Sequence, residues 1–187
     1  MEESAEPRGT GPRLLLDCHI QGDVAVSDSD LSQAEADTLL QMEKRRTDDR
    51  TWLFPGEGSS LLIPLVSVSG HEEFALDVER GRIKLIRRKY QTRTRKVYVL
   101  ARLDYEGPPH RNPDAAEAAP PQGFEQYAGA ELGPTHLHVY REGWGDRWAL
   151  PLEQEQFADP RDPAQLWGAF MSYCNVTEPP DIQGGLF

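Results

Sequence analysis

The stretch FALDVERGRIKLIRRKYQTRTRKVYVLARLDY, residues 74–105, decides the fold. Apolar and polar residues alternate along residues 74–78 and again along residues 93–105, as is typical of β-strands with one buried face. The turn ERG at residues 79–81 joins the first segment to residues 82–88, and a short Gly-containing connection of this kind predicts a hairpin. We therefore expect an antiparallel sheet around this stretch, with residues 93–105 as one long strand.

Two helices are predicted, one before and one after the strand-rich middle. Ser32 and Glu35 have the spacing of a capping box, which marks the start of the first helix. We expect that helix to end in the basic residues 44–46, because cations are favourable at a helix C-terminus. Asp162 followed by Pro163 predicts the start of the second helix.

Further strands are expected at residues 61–68, 135–140 and 148–152. The fold class is therefore α+β, an antiparallel β-sheet flanked by an N-terminal and a C-terminal helix. Residues 1–29 are interpreted as a poorly ordered acidic leader, and residues 30–187 as a single α+β domain.

The composition is that of a polar but foldable protein. Of 187 residues, 38% are hydrophobic and 27% are charged, with a mean hydropathy of −0.62. No run approaches the roughly 18 apolar residues of a membrane span, and the N-terminus lacks a signal-peptide layout, so we expect a cytoplasmic protein without a membrane partner. Cys18 and Cys174 lack the spacing of a zinc-thiolate site.

A dense block of positive charge lies in the central stretch. Residues 80–102 hold 10 of the 20 Lys and Arg and no Asp or Glu, although the whole chain has a formal net charge of −11. This basic island predicts RNA or another anionic partner. The alternatives are protection of an edge strand from aggregation and pairing with an acidic segment or an antitoxin protein. The residues expected to bind nucleic acid are Arg82, Lys84, Arg88, Arg93, Arg95 and Lys96.

Histidines cluster directly downstream of the basic island. His136 and His138 are two residues apart on a predicted strand, so their side chains project from the same face. His110 lies in the segment GPPHRNPD, residues 107–114. Imidazoles held side by side bind a divalent metal or divide the acid and base roles of phosphoryl transfer. The alternative is a polar, solvent-facing strand that happens to contain histidine.

Two charged residues on the preceding strand complete the candidate site. We expect Asp104 to orient an imidazole and Arg102 to stabilise extra negative charge on a phosphorane, with an ordinary ion pair between them as the alternative. Tyr140 is expected to contact a base, unless it is a half-buried strand aromatic. Asn112 is expected to be a turn residue before Pro113.

From residue 31 onward the chain contains the segments LSQAEAD (31–37), VLARLD (99–104), GPPHRNPD (107–114), HLHVYREG (136–143), DRWA (146–149) and YCNVTEPP (173–180). In these segments it resembles an uncharacterised bacterial family defined by a domain of unknown function. This resemblance implies a shared fold and no established activity. The layout also loosely resembles small ribonuclease toxins of bacterial toxin–antitoxin pairs, an analogy of fold and residue order only.

The leading hypothesis is a metal-independent, toxin-like ribonuclease without a cofactor. One of His110 and His138 removes the 2′-hydroxyl proton while another imidazole protonates the leaving oxygen. One alternative is a non-catalytic module that binds nucleic acid or an acidic protein. The other is a metal-dependent hydrolase in which His110, His136 and His138 hold a divalent ion such as zinc. Convergence of the three histidines in one open cleft beside Arg102 favours an enzyme.

Overall fold

The computed structural model describes residues 31–116, 119–152, 157 and 162–184, which form a mixed α+β fold. The expected leader and Cys18 lie outside the described residues. The helices are α1 (Gln33–Gln41) and α2 (Pro163–Tyr173). The strands are β1 (Lys44–Arg46), β2 (Trp52–Leu53), β3 (Ser60–Ser67), β4 (Glu73–Arg80), β5 (Arg88–Thr94), β6 (Tyr98–Tyr105), β7 (His110–Arg111), β8 (Glu131–Leu132), β9 (His136–Arg141), β10 (Gly145–Pro151), β11 (Val176–Glu178) and β12 (Ile182–Gln183).

Eight of these strands form one sheet in the order β10-β9-β6-β5-β4-β3-β1-β11. Neighbouring strands are antiparallel except for β1 and β11, which are parallel. β2 pairs with β12, and β7 pairs with β8, in two small separate sheets. The predicted antiparallel sheet is therefore confirmed. No helix in the described part of the chain is long and apolar enough to cross a membrane.

Both helix starts are confirmed, whereas the predicted end of α1 is wrong. The Ser32 side chain accepts a hydrogen bond from the Glu35 amide in a complete capping box, and Asp162 caps α2. α1 ends at Gln41, and residues 44–46 form β1 instead of a last helical turn. β1 pairs with β3 on one side and β11 on the other, so strand pairing outweighs the favourable helix dipole here.

The stretch predicted as one long strand, residues 93–105, is two strands joined by a tight turn. β5 and β6 pair side by side, and the chain reverses direction at residues 95–97. Arg95 and Lys96 have φ angles of 47° and 66°, a left-handed backbone at two successive turn residues that Gly and Asn adopt most readily. Because neither residue is Gly or Asn, the sequence carries no turn signal at this point.

The prediction of a strand at residues 82–88 is also wrong. Residues 82–87 form a loop, and β5 begins only at Arg88. Ile83 in this loop is 95% exposed, which shows that the apolar side chains alternating along the loop have no layer to pack against. Without burial on one face, alternation alone does not stabilise a strand.

Aromatic residues of α2 pack against β5 in the core. Trp148 and Cys174 are fully buried. The edge of the Tyr90 ring in β5 meets the ring of Trp167 at 5.1 Å between centroids, and Phe170 lies 6.1 Å from Tyr90. Aromatic pairs in this edge-on geometry add to the free energy gained by burial alone.

A buried lysine ties the C-terminal ends of the two helices together. The Lys44 ammonium donates to the carbonyls of Leu40 and Met42 at 2.8 Å, and to that of Cys174 at 2.9 Å. The residue is 0% exposed, and burial lowers the pKa of Lys44 to about 8. All three ammonium hydrogens are thereby used on carbonyls that the helix ends leave without intrahelical partners.

We predict that Lys44→Met lowers the free energy of unfolding by about 2–4 kcal/mol, because three carbonyls lose their donor in a buried place. Urea unfolding followed by tryptophan fluorescence measures this. The matched control is Lys96→Met at an exposed position, expected within about 0.5 kcal/mol of the parent protein. A Lys44→Met variant as stable as the parent would contradict the assigned role.

Candidate functional site

Four polar side chains of β6 and β9 share one face of the sheet. Arg102 lies opposite His138, and Asp104 lies opposite His136 in the antiparallel register. Because alternate residues of a strand point to the same side, all four side chains converge. His136, His138 and Asp104 are only 2%, 1% and 7% exposed. The prediction that the two strand histidines project together is confirmed.

The two imidazoles are oriented by backbone carbonyls. The Nδ1 atom of His136 donates to the Gly133 carbonyl at 2.8 Å, and that of His138 donates to the Asp146 carbonyl at 2.9 Å. A carbonyl only accepts, so each Nδ1 carries the hydrogen and each Nε2 presents a lone pair in the neutral form. The two Nε2 atoms lie 3.0 Å apart. Asp104 Oδ2 lies 3.4 Å from the His138 Nε2 and 3.8 Å from the His136 Nε2.

Arg102 is held in place by three partners at once. Its Nε donates to Asp104 Oδ2 at 3.0 Å, and its Nη1 pairs with the Asp146 carboxylate. Its Nη2 lies 2.8 Å from the His138 Nε2. Sequence reasoning missed Asp146, which enters the site from the start of β10 and gave no signal except its place near the histidine strand.

His110, the first residue of β7, covers this group. Its ring centroid lies 4.5 Å from that of His138 and 5.6 Å from that of His136. Its Nε2 bonds to the Arg147 carbonyl at 3.1 Å. The three histidines that the sequence singles out therefore do come together beside Arg102.

Asn112 fixes the loop that carries His110. Its amide nitrogen donates to the Ala149 carbonyl and its amide oxygen accepts from the Ala149 N–H, each at 2.9 Å. The residue is buried and binds the outer side of β10 as a further strand would. Its role is thus to anchor the loop, more than to form the turn expected from the sequence.

Burial and neighbouring charges together shift the pKa values of the site. Burial acts to raise the pKa of Asp104, but the His138 hydrogen bond and the Arg102 charge prevail and lower it to about 2. Burial lowers the pKa of His136 to about 4, and the neighbouring His138 adds to this effect. Burial, followed by the influence of His138, also lowers the pKa of His110. At neutral pH the site therefore holds an ionised carboxylate beside neutral His110 and His136.

An open cleft of about 450 Å³ gives access to the group from solvent. His136 and Asp104 lie beneath its floor and do not line it. Two further guanidinium groups stand in the walls: Arg111 pairs with Asp114, and Arg147 lies over the Trp144 ring. The lining residues are Arg102, His110, Arg111, Asn112, Pro113, Asp114, His138, Asp146 and Arg147.

Tyr140, the proposed base contact, lies outside this cleft. Its hydroxyl donates to the Leu31 carbonyl at 2.7 Å, and its ring meets Tyr98 edge-on. The side chain is buried beside the start of α1. The structure therefore gives Tyr140 a packing role at that end of β9.

Most of the basic island has partners within the chain. Arg88 is buried over the Phe54 ring, and ion pairs join Arg93 to Asp77, Arg95 to Glu35, Lys84 to Glu106 and Lys89 to Glu79. Arg82 and Lys96 are exposed, without an ion pair to any described residue. Residues 82–87 lie against residues 106–108, which lead directly to His110.

The fold and site define an α+β protein with a buried histidine–carboxylate–arginine group at an open cleft. The chain belongs to a family of unknown function, DUF6978, which it matches over residues 31–176. The matched segment contains the whole candidate site, and the resemblance inferred from the sequence is confirmed. No curated protein and no solved structure matches the chain.

We predict that stability falls as the pH falls from about 6.5 to about 4. The pKa of His136 is about 4 in the folded protein and about 6.5 in the unfolded chain. The folded protein thus binds fewer protons in this window, and the loss is on the order of 2 kcal/mol.

Urea unfolding at pH 7 and pH 5 in the presence of EDTA measures this loss. His136→Gln is expected to flatten the dependence on pH, while His71→Gln at an exposed position retains it. If the free energy of unfolding depends on pH equally in His136→Gln and in the parent protein, another group is responsible for the loss.

Proposed function

We propose that the chain is a ribonuclease that cleaves RNA phosphodiester bonds at the cleft beside His110, His138 and Arg102. One observation carries this proposal: two imidazoles and a guanidinium line one open cleft, and a third imidazole and a carboxylate contact them from directly beneath it. Groups of this kind supply the proton transfers and the positive charge that phosphoryl transfer needs.

His110 is assigned the role of the base that takes the 2′-hydroxyl proton. It is half-buried at the cleft and accessible from it, whereas the nitrogen atoms of His136 are turned into the protein. Its lowered pKa keeps the imidazole neutral and able to accept a proton at pH 7. A positioned general base of this type contributes roughly 10²–10⁴-fold to the rate.

Arg102 is assigned to the negative charge that develops on the phosphorus centre. Its bonds to Asp104 and Asp146 fix the guanidinium before substrate arrives, so little reorganisation is needed. Arg111 and Arg147 line the cleft and are assigned to non-bridging or neighbouring phosphate oxygens. The remaining requirement is positive charge at the leaving oxygen, which in the metal-independent version comes from a proton on one imidazole of the cluster.

A 5′-labelled single-stranded RNA tests the proposal. Cleavage is expected to leave 2′,3′-cyclic phosphate ends, and His110→Ala is expected to slow it on the order of 10²-fold or more. His71→Ala, an exposed histidine away from the cleft, is the matched control and retains the rate. Unchanged cleavage in His110→Ala, or no cleavage of any RNA, would contradict the assignment.

The second candidate is a non-catalytic module that binds RNA or an acidic protein. The exposed positions of Arg82 and Lys96, without described acidic partners, favour it. It predicts salt-dependent RNA binding that survives His110→Ala and is lost in the double variant Arg82→Glu and Lys96→Glu. Fluorescence anisotropy of labelled RNA at two salt concentrations separates this candidate from the ribonuclease.

A further inference from the structure

We infer that Asp104, His136 and His138 form a binding site for a divalent transition-metal ion of the zinc class. The three ligand atoms are the two Nε2 atoms and Asp104 Oδ2, separated by 3.0, 3.4 and 3.8 Å. A point equidistant from atoms at these separations lies about 2 Å from each, which is the length of a zinc–nitrogen or zinc–carboxylate bond. This metal site does not depend on the proposed ribonuclease activity.

The hydrogen bonds around the two histidines are those that a metal site requires. Both Nδ1 hydrogens are donated to backbone carbonyls, of Gly133 and Asp146, which turns both Nε2 lone pairs inward. A bond from the second ring nitrogen to a carbonyl is the usual support of a metal-binding histidine. The arrangement thus fixes ligand orientation before any ion arrives.

The inward-facing atoms share a single donor, the Arg102 guanidinium, which reaches Asp104 and His138 but not the His136 Nε2. Two imidazole nitrogens and a carboxylate oxygen lie within 3.8 Å of one another in a buried place, and in the neutral form of both rings none of the three brings a hydrogen of its own. Buried acceptors that face one another without a donor are costly. A cation between them removes this cost, and the present structure offers only the Arg102 guanidinium from one side.

The ligand set selects the kind of ion. Two imidazoles and one carboxylate suit zinc and its neighbours in the first transition row, whereas magnesium and calcium prefer oxygen atoms throughout. Three protein ligands are typical of catalytic zinc, with the fourth position left for water or substrate. His138 lines the cleft, so that fourth position is reached from the cleft side.

Arg102 makes a specific prediction possible, because it competes with the ion. Its Nη2 lies 2.8 Å from the His138 Nε2, so an ion at the site must replace this one contact. The bonds from Arg102 to Asp104 and Asp146 can remain and hold the guanidinium at the cleft. Since like charges repel at this distance, Arg102→Gln is expected to strengthen metal binding on the order of tenfold.

The test is titration of the chelator-treated, dialysed protein with Co²⁺, followed by the visible absorption of the bound ion. We expect one equivalent to bind with the intense bands of a four- or five-coordinate site that contains nitrogen ligands. His136→Ala and Asp104→Ala are expected to lose these bands, whereas His110→Ala and His71→Ala retain them. Zn²⁺ is expected to displace Co²⁺ and to raise the Tm of the parent protein.

Absence of the bands and of any Zn²⁺-dependent rise in Tm overturns the inference, as do bands that persist in Asp104→Ala. If either alanine variant fails to fold by circular dichroism, Arg102→Gln keeps the test decisive: tighter Co²⁺ binding supports the site, and unchanged or weaker binding overturns it. RNA cleavage on the same samples separates the two proposals. Metal binding without RNA cleavage supports the metal site and counts against the ribonuclease. RNA cleavage in EDTA by a protein that binds no Co²⁺ supports the ribonuclease and overturns the metal site.

Discussion

The pairing register between β6 and β9 is the constraint on which the rest of the structure depends. It sets Leu103 opposite Leu137 on the apolar side, and Arg102 opposite His138 on the polar side. Both leucines are 0% exposed, so a slip of one residue would exchange a packed apolar layer for charged groups. The hydrophobic effect that fixes the core therefore also fixes the geometry of the site, and the polar group is positioned by burial on the opposite face of the same two strands.

Sequence reasoning recovers the elements whose signals are local. The capping box at Ser32 and the common face of the HxH strand both follow from residue spacing within one element, and both are confirmed. The turn at Arg95 and Lys96 could not be predicted, because both residues adopt the left-handed backbone conformation that is expected mainly of Gly and Asn. Ion pairs with residues of other strands could not be predicted either. A count of charges along residues 80–102 does not reveal that Asp77, on the neighbouring strand, pairs with Arg93.

The contacts within the site differ from those that the types of its residues suggest in the sequence. Three histidines suggest three equivalent ligands, but His110 meets the others through its ring, while Asp104 meets them through an oxygen atom. A charged group accepted into the interior needs partners from several elements, and Lys44 at the other side of the sheet obeys the same requirement. In both places burial fixes one arrangement by making every other arrangement costly.

Asn112 links the cleft to the behaviour of the molecule among its own copies. Its side chain occupies both the free N–H and the free carbonyl of Ala149, on the strand that ends the large sheet. An uncovered edge strand is a template on which a second molecule can add its own strand. The loop that delivers His110 to the cleft is therefore also a cover for the sheet edge, so any change that lifts this loop opens a route to self-association.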